Sequence, residues 1–79
     1  MTSGVDVDKG DYDNRTPVHL AASEGHHEIL VFLIKEGGLK NINPIDRWGM
    51  TPLDYAIKGK FTESIKVLQE NGGQKASII

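Results

Sequence analysis

The sequence predicts an all-α solenoid in which one helix-turn-helix unit occurs twice. The chain repeats itself at an offset of 35 residues, because Thr16-Pro17 aligns with Thr51-Pro52 and the apolar positions that follow stay aligned without a gap. Within each copy the apolar residues keep helical spacing, and a pair of glycines closes the copy. A repeat of this length is typical of proteins that stack helix pairs.

The first helix of copy one is predicted over residues 17–24. Thr16 is a favourable N-cap, and Pro17 suits the first helical position because it lacks the N–H that would be unpaired there. Gly25 is expected to break the helix. The residues expected to be buried are Val18, Ala21 and Ala22.

The second helix of copy one is predicted over residues 27–36, where the apolar residues are Ile29, Leu30, Phe32, Leu33 and Ile34. Ile29, Phe32 and Leu33 have the i, i+3, i+4 spacing of one buried stripe. The two glycines that follow are expected to form the C-cap. The second copy repeats this plan, with helices predicted over residues 52–59 and 62–71.

These elements divide the chain into four parts. Residues 1–10 are interpreted as the tail of a preceding repeat, 11–45 as repeat one with a lengthened loop, 46–73 as a terminal repeat, and 74–79 as a tail. The polar end of the last helix suits a terminal repeat, whose outer face meets water.

The segment TPVHLAA at residues 16–22, followed by Gly25-His26, resembles the ankyrin signature T-P-L-H-x-A-A-x-x-G-H. The resemblance implies stacked helix pairs with a row of β-turns and a usual period of about 33 residues. It also implies that His19 bonds the Thr16 hydroxyl and ties neighbouring turns. Asn14 occupies a position where ankyrin repeats carry glycine with positive φ, which Asn tolerates.

A narrower resemblance rests on DYDNRT at residues 11–16, NPIDRW at 43–48 and LQE at 68–70. This set resembles the C-terminal ankyrin segment of animal-type glutaminases, which hydrolyse L-glutamine to L-glutamate and ammonia. Similar pieces occur in plant potassium channels and ankyrin-bearing kinases, and these stay open as the alternative parent. The glutaminase catalytic class uses a Ser nucleophile and a Lys in S-x-x-K spacing, and no serine here has a lysine three residues on.

Composition narrows the function classes. The 79-residue chain has no cysteine, so disulfides and cysteine-based zinc sites are excluded. A net charge of −2 with mixed signs argues against nucleic acid. The longest apolar run has six residues, whereas a membrane span needs about 20. We expect no cofactor, no membrane insertion and an intracellular location, which is mitochondrial for a glutaminase parent and cytoplasmic otherwise.

Two metal hypotheses are weak. His26 and His27 are adjacent, so on a helix they point about 100° apart. The aspartates at positions 6, 8, 11 and 13 suggest calcium, but neither possible EF-hand frame has the glycine and glutamate that its loop requires. We expect solvated turn residues there instead.

The sequence therefore predicts a non-catalytic module that binds other proteins or other domains of its parent, with self-association possible. Ankyrin surfaces bind through loop tips and the inner face of the first helices. The candidate residues are Tyr12, Asn14, Arg15, Arg47, Trp48 and Met50 in the loops, and Ser23, Glu24 and Lys58 on the inner face. Trp48 has two interpretations: a binding hot spot, or an indole packed against the loop around Tyr12.

Stability is expected to be marginal, because repeats bury their apolar faces only against neighbours. Without the preceding helices, Val18, Leu20 and Leu30 are expected to be partly exposed. Leu33→Ala should then unfold the chain.

Overall fold

The computed structural model describes residues 10–76, which form four α-helices in two pairs. The helices are α1 (Pro17–Ser23), α2 (His27–Lys35), α3 (Pro52–Lys58) and α4 (Thr62–Glu70). The all-α repeat fold is confirmed, and no strand occurs among the described residues. Each helix ends one residue before its predicted end, because the residue expected to be last is in each case the C-cap. Of the predicted tails at 1–10 and 74–79, residues 1–9 and 77–79 lie outside the described residues.

The core runs between the two pairs. Helix α1 packs on α3 and α2 packs on α4, while each pair also packs internally. The buried apolar residues are Val18, Ala21, Ala22, Leu30, Leu33, Leu53, Ala56 and Leu68. The alanines allow the first helices to approach closely, and the longer side chains of the second helices fill the remaining space.

The prediction for α2 was wrong at two positions. Ile29 and Phe32 are 48% and 57% exposed, whereas Leu30 and Leu33 are buried. The side of α2 that contacts α1 and α4 carries Leu30 and Leu33, so Ile29 and Phe32 lie on the side that no described helix covers. A run of six apolar residues fits either orientation, which is why the spacing alone was not decisive.

The predicted exposure of Val18 and Leu30 was also wrong, since both are fully buried. Packing of α1 on α2 within the repeat, together with the following repeat, is enough to cover them. Leu20 is 45% exposed, as expected. The uncovered apolar surface of repeat one therefore lies on Leu20, Ile29 and Phe32 rather than on its core.

Two backbone positions with positive φ recur at the 35-residue offset. Asn14 has φ 60° and Gly49, its counterpart, has φ 75°, which confirms the expectation for Asn14. Gly25 has φ 73°, and its counterpart Lys60 has φ 59°. Besides its positive φ, position 25 favours glycine because a Cβ there would lie 2.6 Å from the ring of Phe61.

Candidate partner-binding groove

The first loop is organised by the carboxylate of Asp11. One of its oxygens accepts hydrogen bonds from the backbone N–H of Asp13 at 2.8 Å and of Arg15 at 3.0 Å. The Asn14 N–H donates to the Asp11 carbonyl at 2.9 Å and closes a β-turn. The N–H groups of Arg15 and then Asp13 hold the pKa of Asp11 below its usual value. This turn fixes the backbone from which the Arg15 side chain leaves the loop.

The second loop repeats the arrangement around Asp46. Its Oδ1 accepts from the N–H of Trp48 at 2.9 Å and of Met50 at 3.0 Å, and its Oδ2 accepts from the Tyr55 hydroxyl. Burial opposes ionisation of Asp46, but the hydrogen bonds from Tyr55, Met50 and Trp48 outweigh it and lower its pKa. Burial and the Asp46 carboxylate together raise the pKa of Tyr55 to about 12.

The two loops are joined to each other and to α1. Arg47 donates from its backbone N–H to the Asp13 carbonyl at 2.8 Å and from Nη1 to the Asp13 carboxylate at 3.0 Å. His19 Nδ1 accepts from the Thr16 N–H at 3.1 Å and lies 3.3 Å from the Thr16 hydroxyl. We therefore assign the ring proton to Nε2, which donates to the Met50 carbonyl at 2.9 Å. The expected role of His19 in tying neighbouring turns is confirmed.

A groove of about 360 Å³ opens between the loops and the first helices. It is lined by Arg15, Trp48, Met50, Tyr55 and Lys58. The Arg15 guanidinium lies 5.1 Å from the centre of the Tyr55 ring, and its Nη2 donates to the Ser23 hydroxyl at 3.3 Å. The guanidinium is thereby held from two sides, and Tyr55 meets the His19 ring edge-on at 5.8 Å.

Trp48 forms one wall of this groove and is 59% exposed. The Arg47 guanidinium lies 5.6 Å from the centre of its ring. Tyr12 is fully exposed, so it does not cover the indole. The indole therefore does not pack on Tyr12 itself, and the role of Trp48 as a binding hot spot stays a prediction.

The groove brings together four of the nine predicted binding residues: Arg15, Trp48, Met50 and Lys58. Ser23 supports the groove through Arg15, and Arg47 lies behind the indole. Tyr12, Asn14 and Glu24 are exposed and take no part in the lining. Glu24 instead pairs with His26 at 3.1 Å. Sequence reasoning missed Tyr55, although a tyrosine at the position where repeat one has Leu20 was the signal.

A family model described as ankyrin repeats in three copies matches residues 1–78. The chain belongs to the ankyrin-repeat family. Its groove lies among the projecting turns and first helices of the ankyrin repeats, on the surface that the sequence analysis assigned to binding.

Relatives of this ankyrin-repeat chain come from several kinds of protein. It is 44% identical over 70 residues to the mitochondrial liver isoform of glutaminase from Rattus norvegicus, a match that covers 86% of this chain and 11% of that protein. It is 40% identical over 70 residues to potassium channel SKOR from Arabidopsis thaliana, covering 89% of this chain and 8% of the channel. Serine/threonine-protein kinase 12 of the same plant is 36% identical over 74 residues, or 94% of this chain and 16% of the kinase.

The chain therefore spans only a small fraction of the length of the curated relatives that it matches. In residues 10–76, no helix has both the length and the apolar character needed to cross a membrane.

Proposed function

We propose that this ankyrin-repeat chain is a non-catalytic interaction module that holds a protein segment in the groove beside Trp48. The observation that carries the proposal is the groove itself, which combines a largely exposed indole and a methionine with two cationic side chains. Trp and Arg are enriched among residues that dominate binding energy. The bound segment belongs either to a separate protein or to another domain of the parent.

We further propose that the parent is a glutaminase-type enzyme that hydrolyses L-glutamine to L-glutamate and ammonia. Support comes from the 44% identity to liver-type glutaminases and from the NPIDRW segment at residues 43–48. A mitochondrial location follows from this proposal. The alternative parent is a potassium channel or a kinase, supported by identities of 40% and 36%. The full-length transcript decides between them, since an upstream S-x-x-K amidohydrolase domain is expected for the first and a channel or kinase domain for the second.

Binding and catalysis are tested on the full-length parent and on this chain. The purified chain should release no ammonia from glutamine, because it lacks a Ser–Lys pair in S-x-x-K spacing. Chemical cross-linking with mass spectrometry should join Lys58, the exposed amine that lines the groove, to one specific protein segment of the full-length protein. Trp48→Ala should abolish that cross-link.

Ile45→Ala is the matched control, since Ile45 is a half-exposed apolar residue of the same loop that does not line the groove. Cross-links that survive Trp48→Ala unchanged would contradict the binding proposal. Glutamine turnover by the purified chain that a point mutation within it removes would contradict the non-catalytic part.

A further inference from the structure

Resting on the proposed function, we infer that the occupant of the groove is an acidic protein segment, in which an Asp or Glu carboxylate stands beside a large apolar side chain. The carboxylate meets Arg15 and Lys58, and the apolar side chain lies against Trp48 and Met50.

The two cations that line the groove have no ion-pair partner among residues 10–76. Two close charged contacts lie outside the lining: Arg47 pairs with Asp13, and His26 lies 3.1 Å from Glu24. Lys58 is exposed on α3. The Arg15 guanidinium donates to the Ser23 hydroxyl and lies over the Tyr55 ring. The lining of the groove thus carries two cations and no carboxylate, on a chain whose net charge is −2.

The carboxylates nearest the groove are already satisfied by other donors. Asp46 accepts two backbone N–H groups and the Tyr55 hydroxyl. Asp13 pairs with Arg47. Asp11 accepts hydrogen bonds from two backbone N–H groups. It interacts electrostatically with Arg15 but forms no ion pair with the guanidinium. None of these groups takes the place of an external anion.

Arg15 is pre-organised for a carboxylate. Its guanidinium is stacked on Tyr55 at 5.1 Å and held by Ser23, and its Nε is shielded from solvent without an acceptor in residues 10–76. The shielded Nε leaves the Nη groups as the donors that an incoming oxygen can reach. A planar, immobilised guanidinium suits carboxylate geometry and loses little entropy on binding.

A second groove, of about 310 Å³, has a different charge pattern. It lies at the turns between paired helices, where Lys60 and Glu63 both contribute to the lining. Opposite charges there cancel any preference for an anion. Of these two grooves, the one beside Trp48 has cations, no acid and an apolar wall in its lining.

The test uses the fluorescence of Trp48, the sole tryptophan, as a reporter of occupancy in the full 79-residue chain. The probes are capped hexapeptides of alternating glutamate and leucine, a matched glutamine–leucine peptide, and a matched phosphoserine–leucine peptide. The glutamate peptide should shift the emission saturably and bind at least about tenfold tighter than the glutamine peptide. Raising the salt concentration should weaken binding of the glutamate peptide.

Variants that remove one cation at a time then show which side chain binds the carboxylates of the peptide. Arg15→Gln should weaken binding of the glutamate peptide about tenfold or more. Arg15→Lys should weaken it less, because lysine keeps the positive charge but lacks the planar guanidinium. Lys58→Gln should weaken it about twofold to fivefold, as for an exposed pair. Lys66→Gln, an exposed cation on α4, is the matched control and should change nothing.

Equal binding of the glutamate and glutamine peptides would overturn the inference, as would binding of the phosphoserine peptide alone. Wild-type affinity in a folded Arg15→Gln chain would also overturn it. The peptide comparison needs no variant, so it decides the matter even if Arg15→Gln does not fold. The cross-linking test with Trp48→Ala is separate: a cross-link lost there, with no preference for acidic peptides, leaves the proposed function standing and removes only this inference.

Discussion

The two repeats use opposite hydrogen-bonding chemistry at the same position. His19 of repeat one donates through Nε2 to the Met50 carbonyl in the following loop. Asp54, 35 residues later, accepts from the Ala76 N–H in the following segment at 3.0 Å. Yet both side chains accept the backbone N–H of the N-cap threonine of their own helix, at 3.1 Å and 3.0 Å.

The difference separates two requirements of this position. The bond to the N–H of the N-cap threonine, here called the inward bond, needs an acceptor in either repeat, because it satisfies an N–H at the helix start. The outward bond, which joins the side chain to the following segment, depends on what that segment offers: the Met50 carbonyl after repeat one and the Ala76 N–H after repeat two. The Thr51 hydroxyl adds a bond to the Gln74 carbonyl at 2.7 Å. Replacement of the signature histidine by aspartate is therefore an adaptation to the following segment.

The repeats also differ in how far one face is covered. The matching positions on this face are Leu20, Ile29 and Phe32 in repeat one and Tyr55, Ser64 and Val67 in repeat two. The three in repeat one are 45–57% exposed. Those in repeat two are buried or partly buried against repeat one. The same face is thus apolar in both repeats except at Ser64, and only repeat two has a described neighbour to cover it.

The largest expected effect tests which side of α2 is covered. Leu33→Ala should lower the free energy of unfolding by about 2–5 kcal/mol, enough to unfold a two-repeat chain. Phe32→Ala, one residue away, should change it by no more than about 1 kcal/mol, because the ring is 57% exposed. Urea denaturation followed by circular dichroism at several protein concentrations measures both. Equal losses at low concentration would show that the ring of Phe32 is buried in solution.

The next effect tests the polar contrast between the repeats. His19→Asp should lower the free energy of unfolding by about 1–3 kcal/mol, since a carboxylate has no hydrogen for the Met50 carbonyl. Asp54→Asn keeps an acceptor for the Ala76 N–H and serves as the control, with an expected loss below about 1 kcal/mol. Thermal and urea unfolding of both variants provide the comparison. A His19→Asp chain as stable as wild type would mean that the outward bond does not select the residue.

The fold was predictable because its signals are local and occur twice. Threonine-proline at the helix starts, glycine at Gly25 and a constant offset identify four helices without knowledge of long-range contacts. The orientation of α2 was not predictable, because six consecutive apolar residues have no period. The groove was predicted in part, through Arg15 and Trp48. Tyr55 was missed because its contact with Arg15 joins two repeats, and sequence spacing does not show such a contact.

A smaller effect concerns pH and Tyr55, which stands where repeat one has Leu20. Because the folded-state pKa of Tyr55 is raised to about 12, loss of its proton favours the unfolded chain. The stability that this raised pKa contributes is fully present below about pH 10 and is lost as the pH rises through about 12. The loss at pH 11 is about 1 kcal/mol. Urea unfolding of wild type and Tyr55→Phe from pH 8 to 11 should show a steeper decline for wild type. Parallel curves would mean that the Asp46–Tyr55 bond does not persist in solution.

The last expected effect is the only gain in stability, and it concerns Ser64, which lies on the face that repeat two packs against repeat one. Its side chain is buried, and its hydroxyl has no hydrogen-bond partner among residues 10–76. Repeat one has Ile29 at the same position, so an apolar side chain is compatible with the backbone there. Removing a buried unpaired hydroxyl avoids its desolvation penalty, and alanine favours a helix slightly more than serine does. Ser64→Ala should therefore raise the free energy of unfolding by about 0.5–1.5 kcal/mol.

The control is Lys66→Ala, at an exposed position of the same helix, which measures how much of the gain comes from helix propensity alone. It should change the free energy of unfolding by less than about 0.5 kcal/mol. If Ser64→Ala is instead destabilising in urea unfolding, the hydroxyl has a partner in solution, and the position in repeat two has a polar role that Ile29 in repeat one does not share.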